Sequence, residues 1–153
     1  MLTSDQRTTI INTFHSLTML NFSPVLDKVS QSEFFVMAAV EKLSEYSNKN
    51  IGRVSSIAES LHVSSPAISR TITSLENKGY AERCVDIQNR RNTGVRLTDE
   101  GRKVYIKECE NVYQVFSEVT DSMGEEKITQ LITLAAELRM SFENALVKSK
   151  SKA

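Results

Sequence analysis

Two histidines, His15 and His62, and two cysteines, Cys84 and Cys109, lie scattered along the chain. No nucleophile–base pair, Gly-rich phosphate loop or C-x-x-C spacing can be read among them. The sequence therefore argues against an enzyme and predicts neither cofactor nor metal. The cysteines are expected to be reduced thiols, with Cys109, in an apolar helical stripe, buried rather than reactive. No apolar run approaches the roughly 20 residues that span a bilayer, and the start of the chain lacks the basic-then-apolar layout of a secretion signal. A cytoplasmic chain with no membrane partner is the expectation. Net charge is missing too, with 19 Lys and Arg against 19 Asp and Glu. The balance is uneven along the chain, however. Residues 1–50 carry four basic and five acidic side chains, residues 51–103 nine and six, and residues 104–153 six and eight. Excess positive charge in the middle segment alone is the pattern of a nucleic-acid-facing element between flanks that face elsewhere.

That middle segment also has the most legible local structure. Val54, Ile57, Ala58 and Leu61 fall at i, i+3, i+4 and i+7, and Ile68, Ile72 and Leu75 at i, i+4 and i+7, so each set forms one apolar helix face. Between them, His62-Val63-Ser64 makes a turn. Ser64 is placed to cap the second helix, Pro66 sits where a missing N–H costs nothing, and Gly79 is a left-handed stop. Two helices sharing one core in this way form a helix-turn-helix. The outward face of the second helix, Ser65, Ala67, Ser69, Arg70 and Thr73, is short and polar, fit to enter a groove about 12 Å wide. Tyr80–Val85 and Val95–Leu97 read as strands joined by a basic hairpin containing Arg90 and Arg91, and Ile51–Arg53 as a short third strand.

These residues resemble the multiple-antibiotic-resistance regulator (MarR) family of winged helix-turn-helix transcription regulators. The ordered match is Ile57-Ala58, Leu61-His62-Val63-Ser64, Ile68-Ser69-Arg70, Leu75-Glu76-Asn77-Lys78-Gly79-Tyr80, Arg83, Asn89-Arg90-Arg91 and Val95-Arg96-Leu97-Thr98-Asp99-Glu100-Gly101-Arg102. Asn89 stands where the family usually has Asp, and Arg53 where it tends to have a capping hydroxyl, leaving Ser55 or Ser56 to cap one turn later. Family members commonly release DNA when a small, often aromatic, ligand enters the crevice between their dimerisation helices and DNA-binding lobe. By that resemblance Phe34, Phe35, Met37 and Tyr105 would be the pocket walls, although the preferred reading of Phe34, Phe35 and Met37 from the all-round apolar helix is that they are core. Control without any ligand is an equal alternative. Thiol sensors of the family typically keep the reactive cysteine near the N-terminus, and this chain has none before Cys84.

Outside the middle segment the patterns are all helical. Ser4 to about Leu20 carries Ile10, Ile11, Phe14 and Leu17 on one face, with His15 a packing or interface residue. Ser30-Gln31-Ser32-Glu33 is a capping box opening a helix that runs to about Ser47 and is apolar nearly all round, as befits the centre of a fold. After Thr98 a stripe of Tyr105, Cys109, Val112, Phe116 and Val119 continues to a break at Asp121–Gly124. Ile128, Leu131, Ala135, Leu138, Phe142 and Ala145 follow at nearly 3.5-residue spacing. So much apolar stripe exceeds what a small winged helix can cover, which predicts a second copy as partner.

The expected fold is mainly α with a small antiparallel β-wing, one domain over residues 1–153. Residues 1–30 and 104–147 are dimerisation helices, 31–50 a linking core helix, 51–103 the winged helix-turn-helix and 148–153 a disordered tail. The expected function is a transcription regulator, a repressor, that binds duplex DNA sequence-specifically as a homodimer on a pseudo-palindromic operator. Ser64, Ser65, Ala67, Ser69, Arg70, Thr73, Arg90 and Arg91 are the expected DNA contacts. A winged helix that binds only protein is the rival, and it has no use for the exposed arginines.

Overall fold

A computed structural model describes residues 2–46, 52–85 and 93–150. The chain divides into two compact units, Met1–Val112 and Tyr113–Ala153, where the sequence suggests a single domain. The boundary lies inside a long helix whose last buried residue is Val112.

In the first unit, helix α1 (Ser4–Thr18) starts at a capping box the sequence reading missed. The Thr3 hydroxyl accepts the Gln6 N–H at 3.2 Å, and the Gln6 side chain accepts the Thr3 N–H at 3.0 Å. No residue of α1 is buried. Helix α2 (Gln31–Tyr46) starts at the expected box: Glu33 accepts the Ser30 N–H at 2.7 Å and donates its own N–H to the Ser30 hydroxyl at 3.3 Å. Val36, Met37 and Val40 on this helix are fully buried, and it packs against strand β1 (Gly52–Arg53) and three further elements of the unit. These are helix α3 (Val54–Ser60), helix α4 (Ser65–Asn77) and strand β3 (Thr93–Leu97). Strand β1 (Gly52–Arg53) pairs antiparallel with β3, as does β2 (Ala81–Val85), giving the order β1-β3-β2. The register sets Gly52 opposite Val95 and Arg83 opposite Val95 from the other side. Helix α3 begins at Val54 with Arg53 in the cap position and no side-chain cap hydrogen bond, so neither Ser55 nor Ser56 starts the helix.

Helix α5 (Asp99–Met123) shows why the Leu-Thr-x-x-Gly sequence marks its start. The Thr98 hydroxyl accepts the Gly101 N–H at 3.0 Å and donates to the Gly79 carbonyl at 2.7 Å, while the Thr98 N–H donates to the Tyr80 carbonyl at 3.1 Å. A Cβ on Gly101 would collide with that same carbonyl, so only glycine lets the helix approach. The buried face of α5 is Gly101, Val104, Glu108 and Val112, with Tyr105 and Cys109 half-buried beside it rather than at its centre. The apolar count misplaced the face because two of its positions are a glycine and a glutamate. Glu108 is nearly inaccessible and accepts the backbone N–H groups of Lys28 at 2.7 Å and Asp27 at 3.0 Å. A buried carboxylate satisfied in this way secures the turn before α2.

In the second unit the end of α5 meets helix α6 (Glu125–Lys150) at Gly124, whose φ of 83° makes the turn where the sequence predicts a break. Helix α6 extends through Lys150, so Lys148–Lys150 are helical rather than part of a disordered tail. No helix among the described residues is long and apolar enough to cross a membrane.

Candidate nucleic-acid interface

The turn between α3 and α4 is closed by two reversed backbone bonds. His62 N–H donates to the Glu59 carbonyl at 3.2 Å and Val63 N–H to the Ala58 carbonyl at 3.0 Å. This pairing needs a left-handed residue at the first position, and His62 adopts it with φ 53°. The same motif closes α4, where Gly79 has φ 75° and Tyr80 N–H donates to the Leu75 carbonyl at 2.9 Å. Between these stops, Ile68, Ile72 and Leu75 seat α4 in the core and fix which residues point outward.

Ser65, Pro66, Arg70, Thr73 and Asn77 are exposed. Pro66, Arg70, Thr73 and Asn77 lie at i, i+4, i+7 and i+11, one line along the helix. The Arg70 side chain makes no hydrogen bond or ion pair with any described residue. Thr73 donates its hydroxyl to the Ser69 carbonyl at 3.0 Å. Ser64 is the cap residue by its backbone angles, yet its hydroxyl makes no cap bond, contrary to the sequence reading. Ala67 and Ser69 are half-buried instead of facing fully outward. Arg90 and Arg91 lie outside the described residues, as does Asn89.

The other basic groups close by are engaged. On β2, Arg83 Nε donates to Glu76 Oε2 at 3.1 Å and Arg83 Nη2 to the Ser69 carbonyl at 3.5 Å, which ties the strand to α4. Arg96 on β3 pairs with Glu82 on β2 at 2.6 Å. Behind α4, Lys78 Nζ donates to Glu33 Oε2 at 2.8 Å and the Ser74 hydroxyl to Glu33 Oε1 at 2.8 Å. Burial alone would raise the Glu33 carboxyl, but the bonds from Lys78, Ser30 and Ser74 outweigh it and hold it below the ordinary carboxylate range. Ser74 and Lys78 lie 41 and 45 residues from Glu33 in sequence, and only its local capping role toward Ser30 was readable.

The four residues suggested as ligand walls differ in their surroundings. Met37 is wholly buried in the core, and Phe34 is buried against Tyr105, with ring centroids 5.8 Å apart. Phe35 lines a cavity of about 460 Å³ together with Val36, Leu61, Val63, Ala67 and Thr71, among others. No cluster of metal-ligating side chains occurs among the described residues.

A family described as "winged helix DNA-binding domain" matches residues 36–116. The chain belongs to that family. Its matched region runs from α2 through the middle of α5 and so includes all of the elements that present Arg70. The winged helix is set in a fold shared with solved MarR-type regulators. BldR from Sulfolobus solfataricus superposes with a TM-score of 0.72 at 23% identity, covering 92% of this chain and 99% of that one. Wild-type MarR from E. coli gives 0.64 at 16%, covering 90% and 98%. A mutant of MepR from S. aureus, bound to an oligodeoxyribonucleotide, gives 0.54 at 17%, covering 93% and 99%. No curated protein sequence matches the chain.

Proposed function

We propose that this winged helix is a sequence-specific, duplex-DNA-binding transcription regulator that works as a homodimer and represses by occupying a pseudo-palindromic operator. The observation that carries the reading is Arg70: an exposed guanidinium, paired with no described residue, at the middle of the outward line of a helix whose other face is locked into the core. A structural arginine finds a carboxylate, as Arg83 and Arg96 do here. One left open at the centre of a groove-sized polar face has a guanine edge or a phosphate as its natural partner. The MepR relative bound to an oligodeoxyribonucleotide supports the same use of the fold. Two copies related by a two-fold axis would read half-sites centred about 34–36 Å apart.

The test is selection of bound duplexes from a random pool, followed by footprinting and salt titration. Two symmetric half-sites are expected, whereas a single asymmetric site would remove the dimeric reading. Arg70→Ala should cost about 1–3 kcal/mol on the selected site and relax preference at one base pair. Arg90→Ala and Arg91→Ala should instead weaken all duplexes, each flattening the log-affinity against log-salt slope by roughly 0.9. Absence of salt-dependent duplex binding would favour a protein-binding module.

Release by a small aromatic ligand is part of the proposal. The 460 Å³ cavity supports it, since Ala67, Ile68 and Thr71 of α4 form one of its walls and its size suits a small molecule. A ligand there acts only if it distinguishes DNA-competent from incompetent placements of α4. Selected-operator affinity that no aromatic compound alters would leave a regulator controlled by its own abundance.

A further inference from the structure

Helix α4 is held in the core by Ile68, Ile72 and Leu75, three aliphatic side chains whose contacts are close but not directional. Apolar contacts of this kind resist separation more than they resist a small rotation or slide. Among the described residues, two side chains, Arg83 and Glu33, make directional bonds to α4 or its C-cap. Arg83 lies on the strand side. Glu33 is 3% exposed. Its Oε1 accepts the Ser74 hydroxyl at 2.8 Å and its Oε2 accepts Lys78 Nζ at 2.8 Å, so one carboxylate grips α4 at two points a single turn apart. Lys78 Nζ also donates to the Lys28 carbonyl at 3.2 Å, securing the same end of α4 to the segment before α2.

Capping α2 does not explain this choice of residue. A capping box needs only an acceptor at the fourth position, and glutamine serves as well as glutamate. Burying a carboxylate is costly unless charged and neutral donors satisfy it, and here, beyond the Ser30 N–H, they come from Lys78 at the C-cap of α4 and Ser74 within it. We propose that Glu33 is a positioning residue for DNA recognition, fixing the rotation and axial setting of α4 so that Arg70 and Thr73 meet base edges in register. The proposal rests on the DNA-binding reading above. It assigns a part in specificity to α2, a helix apart from the outward line of α4. The bonds that keep the carboxylate ionised favour the same role.

Glu33→Gln separates the two jobs, because the amide keeps an acceptor for the Ser30 N–H but loses the charge that holds Lys78. The experiment compares wild type, Glu33→Gln and Ser74→Ala on two duplexes of equal length, the site recovered by selection and its scrambled counterpart. Active protein is counted by stoichiometric titration. Glu33→Gln should lose roughly tenfold on the selected site, similar to one mismatched base pair, with the salt slope and the scrambled-duplex affinity unchanged. Ser74→Ala should lose less in the same sense, and the double variant should be no worse than Glu33→Gln, since both act through one carboxylate. A Glu33→Gln protein with the wild-type ratio of selected to scrambled affinity overturns the proposal. So does a loss that vanishes once active protein is counted, which makes Glu33 a stabiliser only. Wild-type protein that fails to distinguish the duplexes overturns the DNA-binding reading and this proposal with it.

Discussion

Helices α4 and α6 treat their apolar residues in opposite ways. On α4, Ile72 and Leu75 are completely buried, and the polar side chains around them are bonded to α2 and β2. On α6, Ile132 is 65% and Leu146 59% exposed, and Leu131, Leu134, Met140, Phe142 and Val147 are exposed as well. Helix α1 is similar, with Ile11 and Leu17 open. The first pattern belongs to an element that one chain can fold by itself. The second belongs to surface that a single chain leaves unfinished, which is the physical basis for proposing a second copy.

The largest effect is expected in the core. Ile72→Ala should cost about 2–5 kcal/mol, because the site has no solvent into which the lost volume can relax. Urea denaturation checks it, and a loss below 1 kcal/mol would mean that α4 is less tightly seated than its burial implies.

Next comes the exposed surface. Ile132→Glu or Leu146→Glu should barely change the unfolding of the DNA-binding lobe but raise the dimer dissociation constant by about two orders of magnitude, as loss of an interface anchor does. Sedimentation measures the second quantity. A charged variant that stays fully dimeric at nanomolar concentration would show that this stripe is not the interface.

Most of this contrast was legible in the chain itself, for physical reasons. Spacings of three and four residues report a helix face wherever burial is apolar, so Ile57, Ala58, Ile68, Ile72 and Leu75 were all placed correctly. Caps and stops such as Ser30, Pro66 and Gly79 act locally and show in local sequence. The failures have a shared cause. Glu33, Lys78 and Ser74 meet across more than forty residues of sequence, and Glu108 is buried because distant backbone N–H groups await it. Hydropathy assigns such groups to the surface, so the inner face of α5 was displaced toward Tyr105 and Cys109.

A smaller effect follows from Glu33, on the buried side of the contrast. Its carboxyl releases its proton more readily in the folded chain than in the unfolded one. The stability it adds is therefore present in full above the ordinary carboxylate pKa of 4.5 and is lost as pH falls below that value through the folded-state one. The difference in unfolding free energy between wild type and Glu33→Gln should shrink between about pH 7 and about pH 3. A difference that grows on acidification would mean that Glu33 is not ionised in the fold.

The smallest effect belongs to His62, which sits between the two locked helices in a conformation that suits glycine. A non-glycine residue in the left-handed region costs about 1–2 kcal/mol, while glycine adds freedom to the unfolded chain and gives back part of that gain. His62→Gly should then stabilise by no more than about 1 kcal/mol, seen as a small shift in urea midpoint with an unchanged slope. DNA affinity sharpens the result. Because the turn is held by the His62 and Val63 N–H bonds, which glycine keeps, the setting of α4 should not change. A variant that gains stability yet loses affinity for the selected site would show that the exposed imidazole itself reaches the DNA, and that the strain at this turn is maintained for that contact.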